Sequence, residues 1–365
     1  MKKFLLLVVV LALIAGYVIS QKDIEVNYND YGIQDVTIDR TMYFVTREFD
    51  DGPYLVEQDG VLTGYTVKKG KLQVNPVVQP ARFPMTYAVN QVDTFQGARA
   101  IAAFSDIHGK IGVFEQLLLA NGIVDAQNNW NFGDGHLVIT GDLLDKGDGV
   151  TEALWLLYKL EQQAQQQGGK LHYLLGNHEF MLLRGDYTFV HPKYLESMRV
   201  IGKDLQSLLG DDTVLGQWLR SKSTIIKLNG IVFVHAGIHQ SYLDLDLALE
   251  ESNALFRDTI GVAKPELLAD PVLGVLYGKN GPVWYRGLLR DRDLKQAQVD
   301  HVLDQLDADY IVFGHTSMQQ VETRHDHKVI AIDTSIKKGK KGEVLFWRDG
   351  VFFSGDMDGK QSRLF

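Results

Sequence analysis

Short apolar runs alternate with segments of helical periodicity along the chain from residue 97 to its end. Residues 113–120 and 152–167 carry apolar side chains at helical spacing, and Asn121-Gly122 is a helix stop signal. Six runs have the length and composition of buried strands, at residues 98–105, 136–140, 171–175, 231–234, 310–313 and 329–332. This alternation predicts a layered α/β domain over residues 97–365.

A strand-like pattern precedes that domain. In residues 54–67 apolar and polar side chains alternate around Gln58-Asp59-Gly60, which is a hairpin signal, and a second turn follows at residues 68–71. We therefore predict an accessory β-rich domain over residues 21–96. Within the α/β domain, residues 186–222 are predicted to form a helical insertion, and a hairpin of residues 344–347 and 351–354 closes the chain.

The first 20 residues have the pattern of an export signal. Lys2 and Lys3 precede an apolar run over residues 4–19, like the basic and hydrophobic regions of a signal peptide. The run is short for a membrane span, which needs about 20 apolar residues. A cleaved signal peptide, and hence a periplasmic or secreted protein, is the first interpretation. The alternative is an uncleaved N-terminal anchor that tethers the chain to a membrane through residues 4–19.

Composition and charge exclude several kinds of chemistry. The 365 residues include no cysteine and carry a formal net charge of -9. Disulfides, thiolate metal ligands and a cysteine nucleophile are therefore excluded, and a nucleic-acid-binding surface is disfavoured. Four lysines cluster near the C-terminus, and a solvated loop explains them as well as a nucleic-acid-binding surface would. These lysines are Lys337, Lys338, Lys340 and Lys341.

Residues that can bind metal ions follow five of the predicted strands. In α/β sheets, ligands bind outside the carboxyl ends of strands, where loops bring together side chains from distant parts of the chain. A single Asp or His in such a place is usually a turn residue or a structural histidine, but five glycine-flanked cases in succession are hard to obtain by coincidence. They are Asp106-Ile107-His108, Gly141-Asp142, Gly176-Asn177-His178-Glu179, His235-Ala236-Gly237 and Gly314-His315-Thr316.

Carboxylate, imidazole and amide ligands together suit Mn, Fe or Zn, as divalent or trivalent ions. Two such ions about 3.5–4 Å apart can hold a phosphoryl group and supply a hydroxide for in-line attack. A carboxylate that bridges the ions is needed at that separation. The residues after the strands therefore predict a metal site whose chemistry suits a phosphoryl group.

The ordered motifs also resemble those of a known family. Asp106-Ile107-His108-Gly109, GDLLDKG from Gly141 to Gly147, GNHE from Gly176 to Glu179 and the two later histidines resemble the phosphoprotein-phosphatase branch of the calcineurin-like metallophosphoesterases. The continuation of GNHE and the stretch GPVWYRG over residues 281–287 are similar to the bacterial Shewanella-like protein phosphatases. The β-rich extension behind a signal peptide resembles their cold-active, tyrosine-dephosphorylating member.

This resemblance implies the fold and the role of each residue. The fold expected is a layered metallophosphatase β-sandwich flanked by helices. Asp106, His108 and Asp142 would hold the first metal, and Asp142 would bridge to a second metal held by Asn177, His235 and His315. His178 would act as the general acid, oriented by Asp145. Lys146, Asn177 and Arg286 would bind phosphate or substrate.

Two positions depart from related patterns. Lys146 stands where most members of the family carry Arg, which keeps the positive charge but loses the planar fork of donors. Ser317 stands where many phosphodiesterases of the wider superfamily have a further histidine ligand, which favours the phosphoprotein-phosphatase pattern. The function implied is a phosphomonoesterase acting on phosphotyrosine, phosphoserine or phosphothreonine in protein, or on a small phosphomonoester. The alternative is a nucleotide or dinucleoside-polyphosphate hydrolase, and a metal-binding protein without activity is a third interpretation.

Overall fold

The computed structural model describes residues 24–29, 32–38, 41–44, 48–87 and 92–365. Residues 1–20, predicted to be a signal peptide or anchor, lie outside this range. Among the described residues no helix combines the length and apolar character required to span a bilayer. The chain divides into two compact units between Phe49 and Asp50.

The first unit contains a small antiparallel sheet. Its strands are β1 (Ile24–Asn29), β2 (Gly32–Ile38) and β3 (Thr41–Phe44). They follow one another as a meander, with β2 in the centre of the sheet. The prediction of β structure near the N-terminus is thus confirmed for the backbone of this segment.

The second unit holds the remaining strands and all the described helices. The strands are β4 (Asp51–Gln58), β5 (Val61–Lys68), β6 (Lys71–Pro76), β7 (Thr94–Phe95), β8 (Ala100–Phe104), β9 (His136–Ile139), β10 (Lys170–Tyr173), β11 (Ile225–Leu228), β12 (Ile231–Val234), β13 (Tyr310–Phe313), β14 (Glu322–Arg324), β15 (Val329–Ala331), β16 (Val344–Arg348), β17 (Val351–Gly355) and β18 (Gln361–Arg363). The α-helices are α1 (Ile111–Ala120), α2 (Val150–Gln166), α3 (Asn177–Leu183), α4 (Pro192–Ile201), α5 (Leu205–Leu208), α6 (Val214–Arg220), α7 (Gln240–Leu243), α8 (Leu249–Asp258), α9 (Lys264–Ala269), α10 (Leu273–Leu276), α11 (Gly287–Arg290) and α12 (Gln296–Gln305).

Two six-stranded mixed sheets form the centre of this unit. The first has the order β10-β9-β8-β16-β17-β18, in which β8, β9 and β10 are parallel and β16 runs against β8. The second has the order β14-β15-β13-β12-β11-β7, in which β12, β13 and β15 are parallel. Parallel neighbours bring the loops at their carboxyl ends to the same side of each sheet, which is where ligands bind in such folds.

The two sheets pack face to face through their inner side chains. Ile101 and Val138 of the first sheet and Phe233, Val312 and Ile330 of the second belong to one buried cluster. These residues come from short runs of β-branched and aromatic residues, which is why such runs predicted buried strands. The β-sandwich flanked by helices is therefore confirmed.

The sheet of β4, β5 and β6 packs on helices of the second unit through a buried carboxylate. Asp51 accepts hydrogen bonds from the hydroxyls of Tyr54 (2.9 Å), Thr151 (2.8 Å) and Ser197 (2.5 Å). Since a buried carboxylate is stabilised only when it is hydrogen-bonded, these bonds fix the sheet against α2 and α4. The accessory domain was predicted over residues 21–96, and the sheet of β4, β5 and β6, which lies within those residues, belongs to the larger compact unit.

The other predicted elements lie within a few residues of the observed ones. The predicted helix at 152–167 is α2, and the predicted insertion at 186–222 contains α4, α5 and α6. The insertion begins close to the end of α3, whose first residue is Asn177. It is thus placed to contribute to whatever binds at the carboxyl ends of the strands.

Candidate metal centre

The carboxyl ends of β8, β9, β10, β12 and β13 meet on one side of the sandwich. The N–H of His108 donates to the carbonyl of Asp142 (2.9 Å), and the N–H of His315 donates to the Asp106 carboxylate (2.8 Å) across the two sheets. The six predicted metal ligands are all buried at this meeting point; they are Asp106, His108, Asp142, Asn177, His235 and His315. The structure therefore brings together the residues that the sequence pattern selected.

Two glycines let the loops approach this closely. Gly141 has a φ of +96°, and a Cβ there would lie 2.5 Å from the backbone nitrogen of Gly176. A Cβ on Gly176 would in turn press on the Asp142 carboxylate and lie 2.8 Å from Nδ1 of His235. Both positions need the absence of a side chain, because the backbone itself forms the wall of the site.

Four of the predicted ligands have strained backbone conformations. Asp106, His108, Asp142 and His315 have φ values of 53°, 48°, 57° and 62°. Left-handed conformations cost non-glycine residues on the order of 1–3 kcal/mol each and persist only where the surroundings hold them. The strained backbone positions carry side chains that face one another, and this concentration of strain indicates a binding site.

Glu179 holds the loop that carries Asp142. Its buried carboxylate accepts from the backbone N–H groups of Asp142 (2.8 Å), Leu143 (2.8 Å) and Gly176 (2.7 Å). The hydroxyl of Tyr173 donates to it as well (2.9 Å). Glu179 therefore positions Asp142 and the start of α3, a role that was not predicted although the residue belongs to the GNHE motif.

The first group of predicted ligands surrounds Nε2 of His108. Nδ1 of His108 donates to the carbonyl of Leu144 (2.7 Å), which leaves the lone pair on Nε2. Nε2 lies 3.7 Å from Asp106 Oδ1 and 3.4 Å from Asp142 Oδ2. The ammonium group of Lys146 donates to the same Nε2 (2.8 Å). Carboxylates and an imidazole thus converge on a point where a cation is favoured.

The second group surrounds Nε2 of His235. Nδ1 of His235 donates to the carbonyl of Thr140 (2.8 Å). Nε2 lies 2.9 Å from Asn177 Oδ1, 3.2 Å from His315 Nδ1 and 3.3 Å from Asp142 Oδ1. Asp142 faces both groups, one carboxylate oxygen toward each, which is the arrangement that a bridging ligand requires.

The electrostatics of the site fit a metal cation. Burial lowers the pKa of His235, but the carboxylates of Asp142 and Asp106 outweigh it and raise the pKa to about 9. Burial raises the pKa of Asp106, yet His108 and Lys337 hold it well below the usual range. Nε2 of His315 is buried without a hydrogen-bond partner among the described residues. Such a cluster stabilises positive charge and leaves a ligand atom available, so these residues fit a divalent ion.

His178 lies beside this cluster and is paired with a carboxylate. Its Nδ1 donates to Asp145 Oδ2 (2.6 Å), while its Nε2 lies 3.8 Å from Asp142 Oδ2. The bond to Asp145 fixes the tautomer and the ring orientation. The positions of His108, Asp142 and His178 would also allow the three to share one metal ion. The structure thus places the predicted pair of His178 and Asp145 together at the edge of the cluster.

Lys337 is a site residue that was not predicted. Its ammonium group contacts Asp106 Oδ1 (3.2 Å) and Asp333 Oδ2 (2.7 Å), and its side chain is 19% exposed. The interpretation of this lysine as part of a solvated loop is therefore wrong. Ser317 donates to Asp333 (2.9 Å), so the position where other superfamily members carry a histidine here supports Lys337. The signal available was Asp333, which directly follows the predicted strand 329–332.

The predicted phosphate-binding residues flank the cluster. Nη1 of Arg286 donates to the carbonyl of His315 (2.9 Å), and Lys146 contacts His108 as described above. Phe189, also not predicted, lies beside His178, and the centroids of the two rings are 5.2 Å apart. Its carbonyl accepts from the N–H of Lys146 (2.9 Å), and its side chain is 45% exposed. An exposed aromatic ring thus stands next to the predicted general acid.

Fold and site together define a metallophosphoesterase. Residues 99–318, more than half of the chain, match the family described as calcineurin-like phosphoesterase. The chain belongs to this family and is a hydrolase of phosphomonoesters with a site for divalent metal. The resemblance drawn from the motifs is thereby confirmed.

The chain is also similar to individual proteins within and beyond this family match. The cold-active protein tyrosine phosphatase of a psychrophilic Shewanella species is 37% identical, with a TM-score of 0.82 over 87% of this chain and 100% of that chain. Shewanella-like protein phosphatase 2 of Arabidopsis thaliana is 24% identical over 67% of this chain and 73% of its own length. An uncharacterized protein of Schizosaccharomyces pombe is 29% identical over 67% of this chain and 75% of its own length.

Proposed function

We propose that this chain is a dinuclear-metal protein phosphatase that removes phosphate from phosphotyrosine in proteins. The observation that carries this proposal is the position of Asp142, whose two carboxylate oxygens face separate groups of ligands. Asp106 and His108 would hold one ion, and Asn177, His235 and His315 the other. Manganese, iron and zinc match this donor set. The bound ions would activate a water molecule and neutralise phosphate charge.

The protein's own residues would bind the ester and supply a proton. Arg286 and Lys146 would contact phosphate oxygens from opposite sides of the cluster, where charge-assisted hydrogen bonds are strong. His178 would donate its Nε2 proton to the leaving oxygen. Asp145, at 2.6 Å from Nδ1, would hold the ring in the orientation for that transfer.

Phe189 supports an aromatic leaving group. A phenol that accepts the proton of His178 would lie beside the Phe189 ring, which is exposed and only 5.2 Å from the imidazole centroid. Pairs of aromatic rings contribute about 0.5–1.5 kcal/mol beyond the area that they bury. The serine side chain offers no such surface, so the same site would favour phosphotyrosine. The similarity to the cold-active protein tyrosine phosphatase points in the same direction.

The proposal includes a location outside the cytoplasm. Lys2, Lys3 and the apolar run over residues 4–19 support export, with retention at the membrane if that run stays attached. The test is to compare the size and the phosphatase activity of the chain in the periplasmic fraction with those in the cytoplasmic fraction. A chain found at full length in the cytoplasm contradicts it.

The first experiment measures the substrates and the metal content of one purified sample. We expect hydrolysis of p-nitrophenyl phosphate and of phosphotyrosine peptides, with about two metal ions bound per chain. The comparison substrates are phosphoserine peptides, bis-p-nitrophenyl phosphate and diadenosine tetraphosphate. Hydrolysis confined to the diester or the dinucleotide would retain the metal centre and overturn the proposal of a protein phosphatase.

Replacement of Phe189 tests the preference for tyrosine. Phe189→Ala should lower kcat/KM for a phosphotyrosine peptide about 3-fold to 10-fold, and leave that for the matched phosphoserine peptide nearly unchanged. Phe189→Tyr keeps the ring and serves as the control variant. An equal loss on both peptides would show that Phe189 supports the site in general and does not select the substrate.

A further inference from the structure

A cleft with a volume of about 700 Å³ opens beside the metal centre. We name it the cationic cleft after the basic side chains that line it, which are Lys264, Lys279, Arg286 and Arg290. Its floor includes the buried Tyr285 and the partly exposed Trp284. It is formed by the segment from α9 to α11, which the sequence motifs did not mark as part of a site beyond residues 281–287.

One end of the cleft reaches the metal ligands. Arg286 donates to the carbonyl of His315 (2.9 Å), and the Trp284 and His315 rings meet nearly at a right angle, with centroids 5.8 Å apart. A substrate whose phosphate lies at the metal centre therefore continues directly into this cleft. The remaining cleft residues lie beyond the part that the reacting phosphate occupies.

Acidic side chains balance the charge of the cleft only in part. Lys264, Lys279 and Arg290 are exposed and form no ion pair with any residue that the structure describes. Burial raises the pKa of Asp186, while hydrogen bonds from Thr188, followed by the charges of Arg184 and Lys264, lower it, so Asp186 offsets part of the charge of Lys264. Asp291 is the acidic residue among those that line the cleft. A cluster of like charges is unfavourable unless it binds an anion, and the chain as a whole is acidic.

The aromatic surface favours a peptide over a nucleotide. The ammonium group of Lys264 lies over the Trp284 ring, 5.2 Å from its centroid, and the ring also contacts His315. A cation thus occupies one face of the indole, which leaves less of the ring for a base to stack on. Exposed lysines on flexible stems suit carboxylates spread along a chain.

We propose that the cationic cleft binds acidic side chains that flank the phosphorylated residue of a protein substrate. This inference rests on the proposed function as a protein phosphatase and adds the substrate class. Acidic residues within a few positions of the phosphotyrosine would contact Lys264, Lys279 and Arg290. Arg286 stays with the reacting phosphate.

The test compares two phosphotyrosine peptides, one with acidic and one with neutral flanking residues, on the full chain loaded with metal. We expect kcat/KM to be about 5-fold to 10-fold higher for the acidic peptide, with the advantage shrinking as salt is raised. In the triple variant Lys264→Ala, Lys279→Ala, Arg290→Ala, this preference should disappear while turnover of p-nitrophenyl phosphate is retained. Equal kcat/KM for the two peptides on the wild-type chain would overturn the proposal.

A matched variant controls for the change in net charge. Lys71, Lys360 and Arg363 are exposed on strands β6 and β18 and the turn before β18, outside the cleft. Their replacement by Ala should leave the peptide preference intact, and loss of the preference in this variant would also contradict the proposal.

A fluorescent, unphosphorylated acidic peptide measures binding independently of catalysis. Its fluorescence anisotropy should rise when the wild-type chain is added and not when the cleft variant is added.

The outcomes separate this proposal from the one that it rests on. If neither phosphotyrosine nor phosphoserine peptides are hydrolysed, while p-nitrophenyl phosphate or diadenosine tetraphosphate is, both proposals fall. If phosphotyrosine peptides are hydrolysed without regard to flanking charge, the protein phosphatase stands and the cationic cleft is not a peptide site.

Discussion

Strand β9 begins at the half-buried His136 and ends shortly before Asp142, a metal-ligand candidate, and the surroundings of its two ends differ in chemistry. At the start, Nδ1 of His136 lies 3.0 Å from Nε2 of His172 on the adjacent strand β10. Beyond the other end, Nε2 of His235 lies 3.2 Å from Nδ1 of His315 and 3.3 Å from Asp142. Both places bring two imidazoles into contact within the fold, yet only one belongs to the site.

The surroundings decide which pair can hold a metal. Burial, followed by the charges of His136 and Lys170, holds the pKa of His172 well below its usual range. At the other end, the carboxylates of Asp142 and Asp106 overcome burial and raise the pKa of His235 to about 9. Burial, with a smaller contribution from nearby lysines, keeps the first pair neutral, whereas nearby carboxylates favour a cation at the second. Contact between histidines is therefore weak evidence for a metal site, and the carboxylate between them is the stronger evidence.

Removal of that carboxylate should have the largest effect. Asp142→Asn leaves the imidazoles in place but takes away the charge that both ligand groups share. We expect loss of bound metal and a fall in p-nitrophenyl phosphate turnover of roughly 10³-fold or more. Metal analysis and kinetics on the same sample measure both. The exposed Asp134→Asn is the control, and an Asp142→Asn protein that retains two ions would refute the bridging role.

Replacement of His178 tests whether a histidine next to the cluster acts on substrate or on metal. His178→Asn should lower kcat about 10²-fold to 10⁴-fold, as expected for loss of a general acid, and spare the metal content. Turnover near that of the wild type would show that the general-acid assignment is wrong. Loss of metal together with activity would instead identify His178 as a ligand, which its position near His108 and Asp142 allows.

Changes to the His136–His172 pair, which has no carboxylate beside it, should affect stability and not catalysis. The pKa of His172 is lowered in the folded state, so below about pH 6.5 the unfolded chain takes up a proton that the folded chain does not. The stabilising contribution of neutral His172 is thus present above that pH and lost as the pH falls. Once unfolded histidine is protonated, the free energy of unfolding should decrease by up to about 1.4 kcal/mol per pH unit from this residue.

Urea denaturation of chelator-treated protein between pH 7 and pH 5 measures this slope. His172→Gln should have a shallower dependence on pH than the wild type, with p-nitrophenyl phosphate turnover of the metal-loaded variant little changed at pH 7. The same dependence on pH in both proteins would show that His172 is protonated in the folded state or does not contribute.

The smallest effect is expected at Lys146. Lys146→Arg restores the planar guanidinium that most family members carry, which can hold two phosphate oxygens at once. Inhibition by inorganic phosphate should become about 3-fold stronger, measured as a lower inhibition constant at fixed metal content. Unchanged or weaker inhibition would contradict the interpretation that lysine at this position weakens phosphate binding.

The sequence predicted the parts of this molecule that repeat a simple physical pattern. Strands β12 and β13 are uniform apolar runs. The site residues follow directly after strands, where glycine-flanked turns direct their side chains into the site. The predicted ligands lie together because parallel strands end on the same side of a sheet. For these residues, the position at the end of a strand was sufficient to predict that they lie close together.

Other parts depend on contacts between residues far apart in the chain. Lys337 was read as solvated because its neighbours are lysines, while its partner Asp106 lies 231 positions earlier. Asp51 is likewise fixed by Thr151 and Ser197, which lie at least 100 positions later, and local periodicity does not show such contacts. The cationic cleft likewise gathers basic residues from two short helices, α9 and α11, and from the loop between α10 and α11.

A metal titration of the chelator-treated chain tests the central claim most directly. Bound metal per chain and turnover of p-nitrophenyl phosphate are followed together as manganese, iron or zinc is added. The account predicts that activity is absent at the start and rises with occupancy until about two ions are bound, and that Asp142→Asn shows neither rise. Turnover that persists in the metal-free chain, or that rises equally in Asp142→Asn, would contradict it.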